Sequence, residues 1–333
     1  MVVTAAIHTK VCSLYAAVKR FLYYHPPVEV AYNLYLDIRS RLGKTPVCVD
    51  MLDGKFKMFT DIRNEGLSRD YYIYRIHEHL PTEIFIKTLS IIKDPCGVLD
   101  IGSHVGYYAL IEATFTPCRV YAVEPNPDSY ELLKKNVQIN NLQNKISTYN
   151  VAMCESEGYV DFIINERPDW SYVKSLPQAK ITLRSRDRNV MKIRCVTIDD
   201  FCKHEDVDKL SYIRMDVEGY ELNILRGGKS ILNNVERLFI EVHPLNMLRY
   251  GYSVEDFYSF LVRYDYKVKY ITMPYVLSPS DNPPLITALR RFVRAKPLID
   301  YSVYEVNMRL KDFVENVDSN IIHYINYHLF LER

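Results

Sequence analysis

The sequence predicts an α/β fold built on a parallel, doubly wound sheet, and three observations lead to this class. Short apolar runs alternate with amphipathic stretches between residues 98 and 151. The first run ends at Asp100, and Gly102 and Gly106 then mark a turn before the apolar stretch 107–113. Later in the chain, 266–272 and 303–310 alternate in the manner of an antiparallel strand pair. Strands that alternate with helices in this order form right-handed crossovers within one parallel sheet.

The individual elements follow from periodicity and from the residues that begin and end them. Pro127 and Asp128 begin a helix expected over 128–140, and Gly227 ends another over 220–226. A further helix is expected over 254–262 from the spacing of its aromatic and aliphatic residues. The parallel strands are expected at 98–100, 119–123, 146–151, 210–216 and 237–242.

Residues 1–90 predict an N-terminal extension that packs on a central domain at 91–310. Within the extension, 47–59 predicts a hairpin that turns at Asp53 and Gly54. The apolar residues of 1–24 recur at helical spacing, which suits either a helix packed on the core or one lying on a membrane surface. Residues 311–333 predict a C-terminal docking helix.

One internal stretch, 165–190, has no clear period and contains the only tryptophan, Trp170. An irregular segment of this length inside a compact domain is either a functional lid or a disordered loop. As a lid it would form part of an acceptor pocket, where Trp170 and Tyr172 could stack on a sugar or another ring.

Composition restricts the class of protein. The 42 basic and 41 acidic side chains nearly balance, which argues against a general nucleic-acid binder. The 7 cysteines are scattered singly without a C-x-x-C pair, as expected for free thiols in a reducing compartment. The sequence has no N-x-[ST] sequon, and its start resembles neither a signal peptide nor a membrane span. These features predict a cytoplasmic protein, peripheral to a membrane if the N-terminal helix binds one.

The glycine turn at 102–106 predicts a nucleotide site, and two acidic residues indicate which nucleotide. The spacing is G-x-x-x-G, so the dinucleotide fingerprint G-x-G-x-x-G is absent. A carboxylate at Asp100 would repel a pyrophosphate but attract the ammonium and sulfonium of S-adenosylmethionine. Glu124 ends the next predicted strand, at the place where an acidic residue takes the two ribose hydroxyls.

Five stretches in order carry a family resemblance. They are VLDIGSHVGYY at 98–108, AVEPNPDSYELLKKNV at 122–137, VTIDDF at 196–201, IRMDVEGYE at 213–221 and FIEVHP at 239–244. With these motifs, the chain resembles the FkbM-type branch of the class I S-adenosylmethionine-dependent methyltransferases. One position departs from the pattern, because the family usually has Asn where His104 stands.

The resemblance implies a Rossmann-like class I methyltransferase fold, with a seven-stranded, mostly parallel sheet and an antiparallel closing strand. It implies an O-methyltransferase that acts on a hydroxyl of a sugar, glycan, glycolipid or similar small acceptor. Val151 and Ala152 would lie beside the adenine, or serve only as core. Glu78 would lie on a segment that closes over the methionine end, or be a solvated helix residue. The cofactor site so implied comprises Glu78, Asp100, Gly102, His104, Gly106, Glu124, Pro125, Val151, Ala152 and Asp216.

The acceptor chemistry is expected where the predicted strands 210–216 and 237–242 end. A sugar hydroxyl is a poor nucleophile, so a nearby base would assist as its proton leaves. Asp216 and His243 are the candidates for catalysis, with Glu218 and Glu241 as substrate-binding residues. The same four side chains could hold Mg²⁺, but the spacing does not require an ion, and a metal-free site is the default expectation.

Two alternatives from other classes remain open at this point. A nicotinamide-dependent oxidoreductase is disfavoured by Asp100 and by the missing third glycine. A non-catalytic or membrane-peripheral partner that keeps the fold in a glycan-assembly complex is favoured by His104 and by the amphipathic start of the chain.

Overall fold

The computed structural model describes most of the chain. The described residues are 26–43, 45–63, 67–94, 96–165, 171–174, 187–207, 209–277, 298–316 and 326–333. The expected N-terminal amphipathic helix and Trp170 lie outside these residues.

The helices flank a central sheet. They are α1 (Pro26–Leu42), α2 (Leu67–Tyr74), α3 (His79–Leu89), α4 (Tyr107–Phe115), α5 (Pro127–Ile139), α6 (Ile198–His204), α7 (Glu221–Arg226), α8 (Pro244–Met247), α9 (Val254–Leu261) and α10 (Leu310–Asn316). Short 3₁₀ turns lie at Ile231–Asn233, Leu248–Tyr250 and Val262–Tyr264. Asn126 caps α5, since its side chain accepts the Asp128 N–H, and proline occupies the first turn.

The strands form a hairpin, a central sheet and a small satellite sheet. They are β1 (Val47–Met51), β2 (Phe56–Thr60), β3 (Gly97–Ile101), β4 (Arg119–Val123), β5 (Ile146–Tyr149), β6 (Ala152–Met153), β7 (Gly158–Asn165), β8 (Tyr172–Val173), β9 (Asp187–Val196), β10 (Leu210–Met215), β11 (Arg237–Val242), β12 (Lys267–Leu277), β13 (Leu298–Arg309) and β14 (Tyr327–Glu332). Parts of the stretch that sequence analysis treated as aperiodic are therefore strands β8 and β9.

The central sheet has eight strands in the order β13-β12-β14-β11-β10-β3-β4-β5. The five strands β5, β4, β3, β10 and β11 run parallel, as predicted. Strand β14 runs antiparallel between β11 and β12, and β13 adds an antiparallel strand at the edge. The predicted α/β class and the antiparallel closing strand are confirmed, with eight strands in place of seven.

The expectation of a docking helix over 311–333 is wrong. Its first described part belongs to α10 (Leu310–Asn316), whereas Tyr327–Glu332 is strand β14. Both faces of β14 are covered by the rest of the fold, so five successive residues are buried. An unbroken apolar run lacks the period-2 signal of a half-exposed strand and is easily taken for a helix.

The predicted hairpin at 47–59 is confirmed and is tied to the central domain. The backbone N–H groups of Lys57 and Phe59 donate to the side-chain oxygens of Asn140 and Asn136, at 2.7 and 2.6 Å. Asn136 is fully buried and also donates to the Val105 carbonyl at 2.8 Å. Through these amides, the hairpin, α5 and the glycine turn form one packed unit.

The expectation of free thiols is wrong for four of the cysteines. Cys96 pairs with Cys118, and Cys154 pairs with Cys195. The first pair directly precedes β3 and β4, whose parallel register opposes Gly97 to Arg119 and so brings the preceding cysteines together. No local motif signals such a pair, because strand register alone creates it. Among the described residues, Cys48 and Cys202 are free.

No helix in the described part of the chain is both long enough and apolar enough to cross a membrane.

Candidate active site

A cleft of about 700 Å³, partly open to solvent, lies beyond the carboxyl ends of β3, β4 and β10. This is where open α/β sheets bind ligands. Its walls include the glycine turn, the end of β4, strand β6 and the loop after β10. The lining residues are Leu67, Ile101, Gly102, His104, Val123, Glu124, Pro125, Ala152, Met153, Phe162, Ser171, Tyr172, Val173, Asp216, Val217, Glu218, Tyr220 and Ile224.

The glycine turn depends on left-handed backbone. Gly102, His104 and Gly106 have φ of 80°, 51° and 92°. A Cβ on Gly102 would lie 2.0 Å from the Asp216 carbonyl oxygen, so only glycine allows β10 to approach so closely. The left-handed conformation also accounts for His104, because Asn and His are among the side chains enriched there. Gly106 and Gly102 thus act through the backbone, as a cofactor turn requires.

Glu124 is the best-defined polar group of the cleft. It is 6% exposed, and its two oxygens accept the backbone N–H groups of His104 and Asn126 at 2.8 and 2.7 Å. Burial raises the pKa of its carboxyl to about 7, although the two N–H donors oppose the rise. The carboxylate keeps unused lone pairs, so it can still accept the hydroxyls of a ribose.

The structure places Asp100 differently from the sequence expectation. Its carboxylate is fully buried and does not line the cleft. It accepts a hydrogen bond from Arg214 at 3.2 Å, and Arg214 also donates to the Gly102 carbonyl at 2.9 Å and to Asp216 at 3.0 Å. Asp100 therefore holds Arg214 against the glycine turn instead of presenting its charge to a ligand.

Of the two residues expected beside an adenine, Ala152 lines the cleft. Val151 is only partly buried, packs against the core and does not line the cleft. Pro125, Met153 and Phe162 are further apolar lining residues. Apolar residues that share a cleft with Glu124 and the glycine backbone fit an adenosyl group, with its flat apolar base and its hydroxyl-bearing ribose.

Three of the predicted acceptor residues also line the cleft. Asp216 and Glu218 line it, and Tyr172 forms part of its wall with the Arg249 guanidinium 5.3 Å from the ring centre. Asp216 accepts from Arg214, and Glu218 accepts from the Asn246 amide at 2.9 Å. Glu218 has a left-handed backbone with φ of 55°, which turns the chain after β10 around the cleft.

His243 lies behind these carboxylates. It is 1% exposed, and its Nδ1 lies 2.8 Å from Oε1 of the fully buried Glu221. Its Nε2 faces Asp216, Glu218 and Glu241 at 3.9, 4.0 and 3.5 Å. Burial lowers the pKa of His243, but the surrounding carboxylates, Glu218 and Glu241 first, raise it well above its usual range.

A second buried histidine links Glu78 and Glu241. His328 in β14 is 3% exposed, and its Nε2 lies 2.9 Å from Glu78 and 3.6 Å from Glu241. Burial opposes its protonation, yet the two carboxylates raise the pKa of His328 to about 10. Glu78 also accepts the Tyr301 hydroxyl at 2.5 Å, so this predicted residue belongs to the His328 cluster and does not line the cleft.

Sequence analysis missed Arg214, His328 and Tyr301. Arg214 had a signal, since a charged residue inside an otherwise apolar strand needs a buried partner. His328 and Tyr301 had none, because they reach the site only through the order of the closing strands. Glu221 lies in the first turn of α7, where a negative charge is favourable in itself, and the structure also makes it the partner of His243.

The sheet order and the cleft beyond β3, β4 and β10 define a Rossmann-like class I methyltransferase fold. A family model for the FkbM methyltransferase domain matches residues 100–268, about half of the chain. The chain belongs to the FkbM methyltransferase family.

Two curated relatives are similar to this chain. A hexuronic acid methyltransferase, AglP, from Haloferax volcanii is 28% identical over 172 residues, which cover 51% of this chain and 66% of the relative, just under two thirds of it. A 2-O-methyltransferase, NoeI, from Sinorhizobium fredii is 22% identical over 187 residues, covering 53% of this chain and 72% of the relative. Among solved structures, M. jannaschii TYW2 in complex with AdoMet is 12% identical with a TM-score of 0.37, covering 87% of this chain and 88% of that one.

Proposed function

We propose that this protein is an S-adenosylmethionine-dependent O-methyltransferase that modifies a hydroxyl of a sugar or glycan. One observation carries the proposal: the glycine turn and Glu124 line the same cleft as the carboxylates of Asp216 and Glu218. The two curated relatives support a sugar acceptor, since their names describe a hexuronic acid methyltransferase and a 2-O-methyltransferase.

In this proposal the two ends of the cleft have different tasks. When bound, S-adenosylmethionine supplies a methyl group to an acceptor oxygen and leaves as S-adenosylhomocysteine. Glu124 accepts the ribose hydroxyls, and the glycine turn lets the backbone lie close to the ligand. Asp216 and Glu218 orient the acceptor hydroxyl, and one of them takes its proton. Holding the hydroxyl in line with the methyl group supplies much of the rate.

Residues that the cleft does not contain take supporting roles in the proposal. His243 and Glu241 lie behind Asp216, where they fix the carboxylates and do not contact the acceptor directly. Asp100 positions Arg214. Because His243 does not line the cleft, a carboxylate that does line it replaces His243 as the proposed proton acceptor.

The test is labelled methyl transfer from S-adenosylmethionine by the purified full chain. The acceptor panel contains hexuronic acids, neutral hexoses, oligosaccharides and a transfer RNA. We expect a methyl ether on a sugar hydroxyl. Asp216→Asn should abolish transfer and keep S-adenosylhomocysteine binding, whereas Glu124→Ala should weaken that binding at least tenfold, about 1.4 kcal/mol. The exposed Glu157→Ala change is a control for both.

Three results would count against the proposal. Methylation of the transfer RNA alone would place the acceptor in another class. Binding of S-adenosylhomocysteine without transfer to any acceptor would favour the non-catalytic partner. Stabilisation by a nicotinamide cofactor, but not by S-adenosylhomocysteine, in a thermal-shift panel would favour the oxidoreductase.

A further inference from the structure

Two groups of histidine and carboxylate side chains lie at the acceptor end. They differ in whether both ring nitrogens of the histidine are used in hydrogen bonds. Of the described residues, Glu78, Glu241 and His328 form one group, and Asp216, Glu241 and His243 form the other. In each group the potential ligand atoms lie within 4.8 Å of one another. The two buried histidines therefore allow a direct comparison of an ion pair with a metal-ligand geometry.

The His328 group is complete without an ion. His328 Nε2 lies within hydrogen-bond distance of Glu78, at 2.9 Å. Its Nδ1 lies 2.9 Å from the Thr272 hydroxyl oxygen. Both ring nitrogens are thus used in hydrogen bonds, and no nitrogen lone pair remains for a metal.

The His243 group has the opposite arrangement. Nδ1 is used by Glu221, but the three carboxylate oxygens nearest Nε2 lie 3.5 to 4.0 Å away. These separations exceed the 2.7–3.2 Å of a normal N–H···O hydrogen bond. Ligand atoms that each lie about 2.1 Å from a shared ion are separated by about 3 to 4 Å. The spacing around Nε2 is that of ligands around a common centre.

Two of the three proposed ligands are also held by their other polar atom. Arg214 donates to Asp216 Oδ2, so that Oδ1 faces Nε2, and Glu221 holds His243 Nδ1. His328 lies 3.6 Å from Glu241 Oε2 while Oε1 of Glu241 faces His243. Outer partners that orient the ligands in this way are typical of metal sites, above all a carboxylate on the far nitrogen of a ligating histidine.

We propose that Asp216, Glu241 and His243 bind one first-row divalent transition-metal ion, with Glu221 as the outer partner of His243. An imidazole together with two carboxylates suits Mn²⁺, Fe²⁺ or Zn²⁺ better than Mg²⁺ or Ca²⁺, which prefer oxygen alone. Because Asp216 lines the cleft, the ion lies at the cleft wall. There it would hold the oxygens of a sugar acceptor, so this role rests on the proposed function, whereas ion binding does not.

The test measures metal binding in the absence of methyl donor and acceptor. The full chain is stripped with a chelator, dialysed and titrated with Mn²⁺, and free Mn²⁺ is followed by electron paramagnetic resonance. We expect one ion per chain that a tenfold excess of Mg²⁺ does not displace. His243→Gln and Asp216→Asn should each weaken binding at least tenfold, and Glu221→Gln by about 10- to 100-fold. His328→Gln is the matched control and should weaken it less than either ligand variant.

Each variant is first shown to bind S-adenosylhomocysteine, so a folding defect is recognised. No saturable binding by the unchanged chain would overturn the inference, as would binding that survives in both His243→Gln and Asp216→Asn. Loss of Mn²⁺ binding in His328→Gln together with its retention in His243→Gln would also overturn the inference. The ion would then belong to the cluster of Glu78, Glu241 and His328. A chain that binds Mn²⁺ but methylates nothing contradicts the proposed function alone, and the reverse result contradicts this inference alone.

Discussion

The two ends of the cleft are built by different means. The cofactor end is local: the glycine turn at 102–106 and Glu124 come from two adjacent strands, and most of its polar contacts use the backbone. The acceptor end, with the cluster of histidines and carboxylates that lies behind Asp216, is assembled from side chains of distant segments, among them Glu78, Asp216, Glu241 and His328. One end depends on backbone conformation within a short stretch, and the other depends on the whole order of the sheet.

This difference suggests that the two functions can be separated by mutation. Changes in the turn should remove cofactor binding and also destabilise the fold, because the turn packs directly on β10. Changes among the buried histidines and carboxylates should affect the acceptor and leave the cofactor bound. The predictions below test that separation, beginning with the largest expected effect.

Gly102→Ala should be the most damaging single change at the cofactor end. The added Cβ would meet the Asp216 carbonyl oxygen at 2.0 Å, and φ at this position is 80°. Left-handed backbone alone costs an L-residue about 1–2 kcal/mol, and displacement of β10 adds to it, for a total of about 3 kcal/mol or more. Urea unfolding should show this loss, and calorimetry should show at least a tenfold weaker affinity for S-adenosylhomocysteine.

Gly54→Ala is the matched control for that change. Gly54 has φ of 82°, but a Cβ there would meet nothing within 4 Å. It should therefore show the conformational cost alone, about 1–2 kcal/mol, with unchanged cofactor affinity. Equal losses in the two variants would mean that close packing against β10 does not matter.

His328→Gln should be the corresponding change at the acceptor end. The imidazolium lies between Glu78 and Glu241, and its removal leaves two partly buried carboxylates without their shared positive partner. We expect kcat/KM for the acceptor to fall at least tenfold while the affinity for S-adenosylhomocysteine stays within about twofold, a change in transition-state stabilisation of about 1.4 kcal/mol. Steady-state kinetics and calorimetry on the same preparation measure both quantities.

The exposed His204→Gln change in α6 controls for the loss of a histidine as such. It should leave both quantities unchanged. If His328→Gln instead lowered cofactor affinity and activity in parallel, the two ends would not be separable, and the comparison would fail.

The contrast also explains how far the sequence could be interpreted. The parallel strands, the helix that Pro127 begins, the glycine turn and Glu124 were predictable because each depends on neighbours in the chain. The hydrogen bond of Asp100 to Arg214 and the pairing of Cys96 with Cys118 were not, since each depends on which strands lie side by side. Strand β14 was taken for a helix for the same reason: its burial on both faces comes from β11 and β12.

The acceptor end shows this limit most clearly. Asp216, Glu218, Glu241 and His243 were recognisable as polar residues after predicted strands, and the structure brings them together. Which of them faces the cleft was not predictable, because that depends on the turn at Glu218 and on Glu221 beneath His243. The partner of Glu78 comes from the far end of the chain, and only the sheet order shows it.

The smallest expected effect is the pH dependence of cofactor binding, and it depends on Glu124 alone. Burial raises the pKa of Glu124 to about 7, so the carboxylate predominates at pH 8 and the neutral acid at pH 6. Ribose hydroxyls donate more strongly to the charged form. Affinity for S-adenosylhomocysteine should therefore fall as the pH is lowered from 8 to 6, by at most about tenfold. In Glu124→Gln the affinity for S-adenosylhomocysteine should be low at both pH 8 and pH 6. Any change of affinity with pH that remains belongs to the titration of the ligand. If the affinity of Glu124→Gln for S-adenosylhomocysteine changed with pH as steeply as that of the unchanged chain, Glu124 would not be the source of the pH dependence. That result would also weaken the contrast between a cofactor end governed by one carboxylate and an acceptor end governed by many.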